Sequence, residues 1–133
     1  MPDYGMSHRP MTVDQGAATL DNLEPAFGAD IYGPHAAQYY GTGNGALDRE
    51  TLKVLRSVRG NPSAQVTVYR AVPKTAEQSA MNAGDWVTVN KKYAIDHGES
   101  ALNGEYKIIE QKVPASWLTT SADSFHEQGF YPR

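Results

Sequence analysis

Arg70, in the run 66–73 (VTVYRAVP), is the residue whose type and position most clearly indicate a chemical role. Strand alternation places Val66, Val68 and Val72 on the same face as Arg70, so an arginine lies on an otherwise apolar face. An unpaired buried guanidinium is costly. Two interpretations remain open. Either Arg70 reaches water or pairs with a later carboxylate, or it faces a cleft and binds an anion through its planar fork.

Other polar side chains also fit neither a simple core role nor a simple surface role. Tyr93 and His97 lie four residues apart on a predicted helix and therefore share one face. Glu127 lies among aromatic residues near the end of the sequence, as a catalytic carboxylate or as an exposed one packed by its neighbours. Beside Lys112 on a predicted strand, Glu110 is better explained as an ordinary surface carboxylate. The full set is Arg70, Thr88, Tyr93, His97, Glu110, His126 and Glu127.

The composition excludes several classes of site. The sequence has no cysteine, which removes disulfides, thiol nucleophiles and thiolate metal sites. Its histidines are scattered without a metal-binding spacing, so we expect no metal site: His8, His35, His97 and His126. The run 41–45 (GTGNG) follows a predicted helix and lacks the dinucleotide spacing, which indicates a turn and not a phosphate loop.

Length and charge favour one soluble domain. The 133 residues suit a single domain over 1–133, and the net charge of −3 shows no basic surplus of the kind that nucleic-acid binding usually requires. No signal pattern and no apolar run of membrane length is present, so we expect no membrane association and a cytoplasmic location. Nothing in the sequence predicts an oligomeric state.

The first part of the chain, 1–61, is predicted to be helical. After an irregular arm over 1–11, Thr12 and Gln15 form a capping-box pattern for a short helix to about Leu23, which Glu24-Pro25 ends. A second helix begins at Gly33-Pro34 and ends at Gly41. A third has Asp48 as its N-cap, Gly60 as its C-cap, and an apolar side formed by Leu52, Leu55 and Val58.

The second part, 62–133, is predicted to be β-rich. Strands are expected at about 65–72, 85–89, 106–113 and 117–120, with a last one beginning near residue 127. A helix starting near Lys91 and capped by Asn90 is inserted between the second and third strands. The predicted fold class is therefore α+β, with a helical part followed by a mostly antiparallel sheet.

The order of these segments resembles the ADP-ribosyltransferase superfamily, and most closely its small phage and mobile-element members. The likeness covers about half of the chain, and it lies in the segments 68–73 (VYRAVP), 84–88 (GDWVT), 93–94 (YA), 97–98 (HG) and 126–131 (HEQGFY). It implies a split, bent sheet with NAD bound in the cleft between its halves.

The resemblance also implies a role for each site residue. Arg70 would bind an NAD phosphate or ribose, the backbone of Ala71 would face the nicotinamide amide, and Thr88 would replace the family's hydroxyl residue. Tyr93 would stack on the nicotinamide, with His97 nearby. The catalytic carboxylate would be Glu127, which would bond a ribose hydroxyl and stabilise the positive charge as nicotinamide leaves. NAD would be the substrate, a host protein or nucleic acid the acceptor, and no metal would be needed.

The chain also departs from the family pattern. Thr88 lies between valines where a Ser-Thr-Ser triplet is expected, and Phe125 occupies the position two residues before Glu127 where arginine-modifying members have Glu or Gln. An arginine acceptor is therefore not expected. Two alternatives stay open: an inactive domain of the same fold that inhibits a host defence factor by binding it, and a nuclease independent of NAD that uses His97, His126 and Glu127.

Overall fold

A computed structural model describes residues 9–121 and 124–133 of the chain. Parts of three predictions fall outside these residues: most of the N-terminal arm, His8, and positions 122–123 before the aromatic segment that contains Glu127. Within the described residues the fold is α+β with antiparallel sheets, as the sequence predicts.

The N-terminal part begins differently from the prediction. Gln15 accepts a hydrogen bond from the Thr12 backbone, as in a capping box, but only a 3-10 turn, Val13–Gln15, follows. A short strand, β1 (Ala18–Thr19), replaces the rest of the expected helix. Glu24-Pro25 does not end a helix but begins one, α1 (Glu24–Phe27), because proline is well accommodated in a first helical turn.

Two further helices complete this part after a 3-10 turn, Ala29–Tyr32. Helix α2 (Ala36–Tyr40) has Gly41 as its C-cap, as predicted. Helix α3 (Gly45–Ser57) starts earlier than predicted, because the N-cap is Asn44, whose side chain accepts from the Leu47 backbone. The assignment of Asp48 as N-cap is therefore wrong. Val58, and not Gly60, is the C-cap.

The C-terminal part follows the predicted order of elements closely. It contains β2 (Gln65–Pro73), β3 (Trp86–Val87), α4 (Lys91–Ala101) and β4 (Tyr106–Pro114). A 3-10 turn, Ala115–Trp117, then leads into β5 (Leu118–Thr120) and β6 (Gln128–Phe130). Asn90 caps α4 as expected, since its side chain accepts from the Tyr93 backbone.

The strands of the described residues form two antiparallel sheets. One has the order β1-β5-β6-β3 and the other pairs β2 with β4. A single bridge joins them, in which the backbones of Tyr69 and Thr88 exchange hydrogen bonds of 2.7 and 2.9 Å. We call the line where β2 and β3 meet the seam.

The core lies on one face of this split sheet, between the strands and the N-terminal helices. Its strand residues include Val66, Val68, Val72, Val87, Leu118 and Phe130, and its helical residues include Leu52 and Leu55. Helix α4 lies on the other face, where Gly98 packs directly against the ring of Tyr106. None of the helices in the described part of the chain has the length and apolarity that a membrane crossing requires.

Candidate active site

The sheet register brings three of the predicted site residues toward one place. Val87 pairs with Gln128, so the next residues along, Thr88 and Glu127, lie opposite each other at the end of this pairing. Both are on the face away from the core, because the intervening positions Val87 and Gln128 are buried. Tyr93 approaches the same place from the first turn of α4.

Tyr93 lies close enough to Glu127 for that carboxylate to affect the pKa of its hydroxyl group. Burial is the largest cause that raises the pKa of Tyr93, and the charge of Glu127 and a hydrogen bond to its carboxylate raise it further. A side-chain hydrogen bond with Ser124 opposes these effects but does not cancel them. The Tyr93 hydroxyl therefore keeps its proton at physiological pH.

The ring of Tyr93 is held by His126. The two rings are stacked with centroids 4.9 Å apart and planes 12° apart. His126 is fully buried, and the ring of Phe125 contacts it edge-on at 4.5 Å. The backbone of His126 also donates a hydrogen bond of 3.1 Å to the Ser124 hydroxyl oxygen, so the turn that carries Glu127 is bonded internally.

Both ring nitrogens of His126 are hydrogen-bonded to helix α3. Nε2 lies 2.8 Å from a carboxylate oxygen of Asp48, and Nδ1 lies 2.7 Å from the hydroxyl oxygen of Thr51. Asp48 is buried and also accepts from the backbone and hydroxyl of Thr42, at 3.0 Å for each of the closest pairs. The Asn90 side chain donates to Thr51 over 2.9 Å. We refer to Asp48, His126 and Thr51 as the buried triad.

The pKa values of Asp48 and His126 follow from burial and hydrogen bonding. Burial tends to raise the pKa of Asp48, but hydrogen bonds from His126 and Thr42 lower it by more, so the carboxylate is ionised. Burial lowers the pKa of His126 more than the charges and hydrogen bonds of the neighbouring carboxylates raise it. The histidine is therefore neutral beside an ionised aspartate.

A Thr-His-Asp arrangement has the composition of a catalytic triad, but here it is inaccessible. Thr51 and His126 are both 0% exposed. A nucleophile and its base must reach the substrate, so the buried triad supports the fold and the neighbouring Tyr93, and does not act on a substrate itself.

Thr88 is near Glu127 but is not open to a ligand. Its side chain is 4% exposed. The hydroxyl oxygen accepts a hydrogen bond of 3.1 Å from the Asn90 backbone, at the start of α4. Thr88 therefore links β3 to the first turn of α4, the turn that contains Tyr93.

Arg70 lies on the core face of β2, and therefore on the opposite face of the sheets from Glu127. Its Nη1 donates to the carbonyl oxygen of Trp86 over 2.9 Å, and Nε lies 3.8 Å from the carboxylate of Asp85. Among the described residues the buried Nε has no hydrogen-bond partner. This geometry corresponds to pairing with a later carboxylate, one of the two interpretations of Arg70, although the side chain remains 30% exposed.

The remaining predicted positions flank this region. The backbone N–H and C=O of Ala71 point to the same side as those of Tyr69, toward β3 and just beyond the bridge, because backbone direction alternates along a strand. His97 is exposed on α4, one turn after Tyr93. Glu110 is exposed on β4, as expected.

Three residues that build the site were not identified as site residues: Asp48, Thr51 and Asn90. One signal was present, since Asp48 and Thr51 share the buried stripe of α3 with Leu52 and Leu55. A carboxylate on an apolar stripe needs a partner, but the partner is 78 residues away in the sequence. No local pattern connects the two.

A separate pocket of about 190 Å³ lies between the first turns of α3 and α4. Its lining residues are Asn44, Ala46, Leu47, Glu50, Asn90 and Lys92, and none of them is a predicted site residue. Its volume is below the range of about 300–1,000 Å³ that is usual for small-molecule sites. In the described ranges, 9–121 and 124–133, no cluster of three or more His, Asp or Glu side chains is arranged to hold a metal ion.

Comparison with known proteins gave no significant match to a protein-family model, to a curated protein sequence or to a solved structure. A function for this chain is therefore inferred from its own residues.

Proposed function

We propose that the chain is an NAD-dependent mono-ADP-ribosyltransferase of phage or mobile-element origin, with Glu127 as its catalytic carboxylate. The observation that carries the proposal is the Tyr93–Glu127 pair at the edge of the seam. The carboxylate of Glu127 is half-buried beside a tyrosine hydroxyl that keeps its proton. NAD is the substrate, and the acceptor is a host protein or nucleic acid in the cytoplasm.

The proposed reaction breaks the bond between the nicotinamide nitrogen and C1′ of the ribose. Nicotinamide leaves with the bonding electron pair, and positive charge develops on the ribose ring. A fixed carboxylate beside that ring lowers the barrier because its charge is already in place. The acceptor, or water, then forms a bond to C1′ and loses a proton.

Residues on the other side of the seam would bind the rest of the dinucleotide. Arg70 is partly exposed and its guanidinium makes one hydrogen bond, to the Trp86 carbonyl, so it can exchange this contact for an NAD phosphate. The backbone of Ala71 points beyond the Tyr69–Thr88 bridge, where it can pair with the nicotinamide amide.

The decisive experiment follows nicotinamide release from NAD by the purified protein and by Glu127→Gln. This variant keeps the size of the side chain and one acceptor oxygen, but it removes the charge and replaces the other oxygen by an NH₂ donor. We expect release to fall by about 10²-fold or more, the usual effect of removing one preorganised electrostatic group, while thermal unfolding is unchanged.

The matched control is Glu110→Gln, an exposed carboxylate on β4. Its rate of nicotinamide release should equal that of the unmodified protein. Glu127→Gln protein that folds and releases nicotinamide at the full rate would refute the proposed role of Glu127.

The second candidate is an inactive domain of the same fold that inhibits a host defence factor by binding it. Two contacts favour it: the guanidinium of Arg70 is already engaged with Trp86 and Asp85, and the hydroxyl of Thr88 is turned toward Asn90. This candidate predicts no heat of binding for NAD at millimolar concentration by isothermal titration calorimetry. It also predicts that Arg70→Ala leaves inhibition intact.

The nuclease alternative loses support from the position of His126. General acid–base catalysis requires a group within hydrogen-bonding reach of the substrate. His126 is fully buried and both of its ring nitrogens are engaged with α3. Only exposed His97 and half-buried Glu127 would remain for that chemistry.

A further inference from the structure

The hydrogen bonds around His126 determine which ring nitrogen carries the proton. An asparagine NH₂ group can only donate, so the Thr51 oxygen accepts from Asn90. The single hydroxyl hydrogen of Thr51 is then available for Nδ1 of His126, 2.7 Å away. Because Nε2 faces the carboxylate of Asp48, which can only accept, and the ring is neutral, Nδ1 is the unprotonated nitrogen. Nε2 therefore carries the hydrogen and donates it to the ionised Asp48.

This arrangement runs in one direction, from Asn90 through Thr51 and His126 to Asp48. A second proton on Nδ1 would meet the hydroxyl hydrogen of Thr51 head-on. Thr51 would have to rotate, and its oxygen would have to accept from both Asn90 and the imidazolium. Because the site is fully buried, no water compensates for the lost geometry.

The same imidazole ring supports the candidate active site. The ring of Tyr93 lies on it at 4.9 Å and is nearly parallel to it. Tyr93 in turn lies beside Glu127, which affects the pKa of its hydroxyl group and follows His126 in the sequence. A displacement of the imidazole therefore reaches Glu127 by two routes, through the stacked tyrosine and through the backbone.

We infer that the buried triad is the positioning device for Glu127, acting through the stacked ring of Tyr93, and that a proton added to Nδ1 of His126 dismantles it. The catalytic part of this inference rests on the proposed function. His126 faces Asp48 on α3, Tyr93 on α4 and Glu127 on its own segment. Burial outweighs both carboxylates and keeps the pKa of His126 below its ordinary value.

The test uses Thr51→Val, which keeps the shape of the side chain and removes the hydroxyl group, both as donor to Nδ1 and as acceptor from Asn90. Thr51→Ser restores that donor and is the matched control. For nicotinamide release from NAD, we expect Thr51→Val to lower kcat by about 10- to 100-fold with little change in KM. A misplacement of about 1 Å is enough for a loss of this size. Thr51→Ser should recover most of the rate.

The pH profile of kcat separates positioning from a general structural role. In the unmodified protein, kcat should fall as the pH is lowered through the pKa of His126. Without the Thr51 hydroxyl the unprotonated Nδ1 is less favoured, so the fall should move to higher pH in Thr51→Val and return in Thr51→Ser. An unchanged kcat and an unchanged profile in folded Thr51→Val protein would overturn the inference.

Imidazole ¹⁵N NMR of the unmodified protein tests the starting geometry without any variant. We expect the neutral Nε2–H form of His126 at pH 7, with a pKa below the unperturbed value of about 6.5. An Nδ1–H form, or protonation at or above that value, would refute the hydrogen-bond assignment on which the inference depends.

The ¹³Cζ signal of Tyr93 keeps the two proposals distinguishable. If the unmodified protein releases no nicotinamide, the proposed function fails, and the Tyr93 signal then decides on positioning. A shift of that signal in Thr51→Val that is reversed in Thr51→Ser supports the device. A signal that is identical in all three proteins overturns it.

Discussion

Two polar regions of this molecule lie on either side of β3 and are built in opposite ways. In the buried triad every ring nitrogen and carboxylate oxygen discussed above has a partner, and the side chains of Asp48 and His126 are each 1% exposed. Arg70 is 30% exposed, its Nε lies 3.8 Å from Asp85, and its strand meets β3 through a single bridge. The polar atoms of the first region are all used in hydrogen bonds that stabilise its own structure. The second retains the capacity to exchange partners, which a ligand site needs.

The largest expected effect lies in the buried region. Asp48→Ala leaves the Nε2–H of His126 and the two donors of Thr42 without their acceptor. The Nε2–H of His126 is buried, and an unpaired buried donor costs about 1–3 kcal/mol, whereas Thr42 is exposed and its donors can bond to water. The free energy of unfolding should therefore fall by up to about 3 kcal/mol, measured by urea denaturation. Asp96→Ala, in the exposed pair with Lys92, is the control and should cost about 0.5 kcal/mol or less. Equal losses in the free energy of unfolding in the two variants would mean that the buried triad does not stabilise the fold.

The next effect concerns the contact that fixes α4, and with it Tyr93, to the two-stranded sheet. A Cβ atom added at Gly98 would overlap the ring of Tyr106. We expect Gly98→Ala to lower the free energy of unfolding by about 1–3 kcal/mol, although alanine by itself favours a helix by about 1 kcal/mol. Ser100→Ala, on the exposed side of α4, should lie within about 0.5 kcal/mol of the parent. A more stable Gly98→Ala protein would show that α4 does not pack against Tyr106 as described.

A third effect is the pH dependence of stability. The folded pKa of His126 lies below its unfolded value, so between these two values the unfolded chain binds a proton that the folded chain does not. The free energy of unfolding should therefore decrease on acidification below about pH 6.5, by up to about 1.4 kcal/mol per pH unit. His126→Gln should remove this dependence. If its urea-denaturation slope against pH equals that of the parent, His126 is not the titrating group.

The smallest effect on stability is expected in the open region. Arg70→Met keeps the length of the side chain and removes an ion pair of 3.8 Å together with one hydrogen bond. Because the group is partly exposed, we expect a change of about 1 kcal/mol or less in the free energy of unfolding. Under the proposed function the affinity for NAD should fall about 10-fold or more in isothermal titration calorimetry. A large loss of stability with unchanged NAD affinity would reverse the comparison between the two regions.

The elements around the seam could be predicted from the sequence because each carries a local signal. Alternation identified β2 and β4, and Asn90 identified the start of α4. β1 could not be predicted, because two residues have no periodicity and the strand forms only by pairing with β5. The N-cap of α3 was misassigned because Asp48 matches the capping preference as well as Asn44 does, and only the tertiary structure shows that its carboxylate is buried.

The candidate site could likewise be predicted only in part from the sequence. Tyr93 and Glu127 could be singled out because aromatic and acidic residues stood out against their neighbours. The register places Glu127 at the end of the β3–β6 pairing, and α4 contains Tyr93. The orientation of Arg70 could not be predicted, since alternation gives only the face of a strand and not the partner of a long side chain. The triad depends on contacts between residues 75 and 78 positions apart. Such contacts are set by the position of the turn before β6 relative to α3.

The single Tyr69–Thr88 bridge gives the molecule a natural hinge. The backbone contribution to closing it is two hydrogen bonds, of 2.7 and 2.9 Å, each worth about 0.5–1.5 kcal/mol net. On that contribution alone, thermal breathing would open the bridge in roughly one molecule in five to one in two hundred. The amide protons of Tyr69 and Thr88 would then exchange with solvent far sooner than those of the β2–β4 ladder. A guest molecule could enter the sheet by this motion without unfolding any helix.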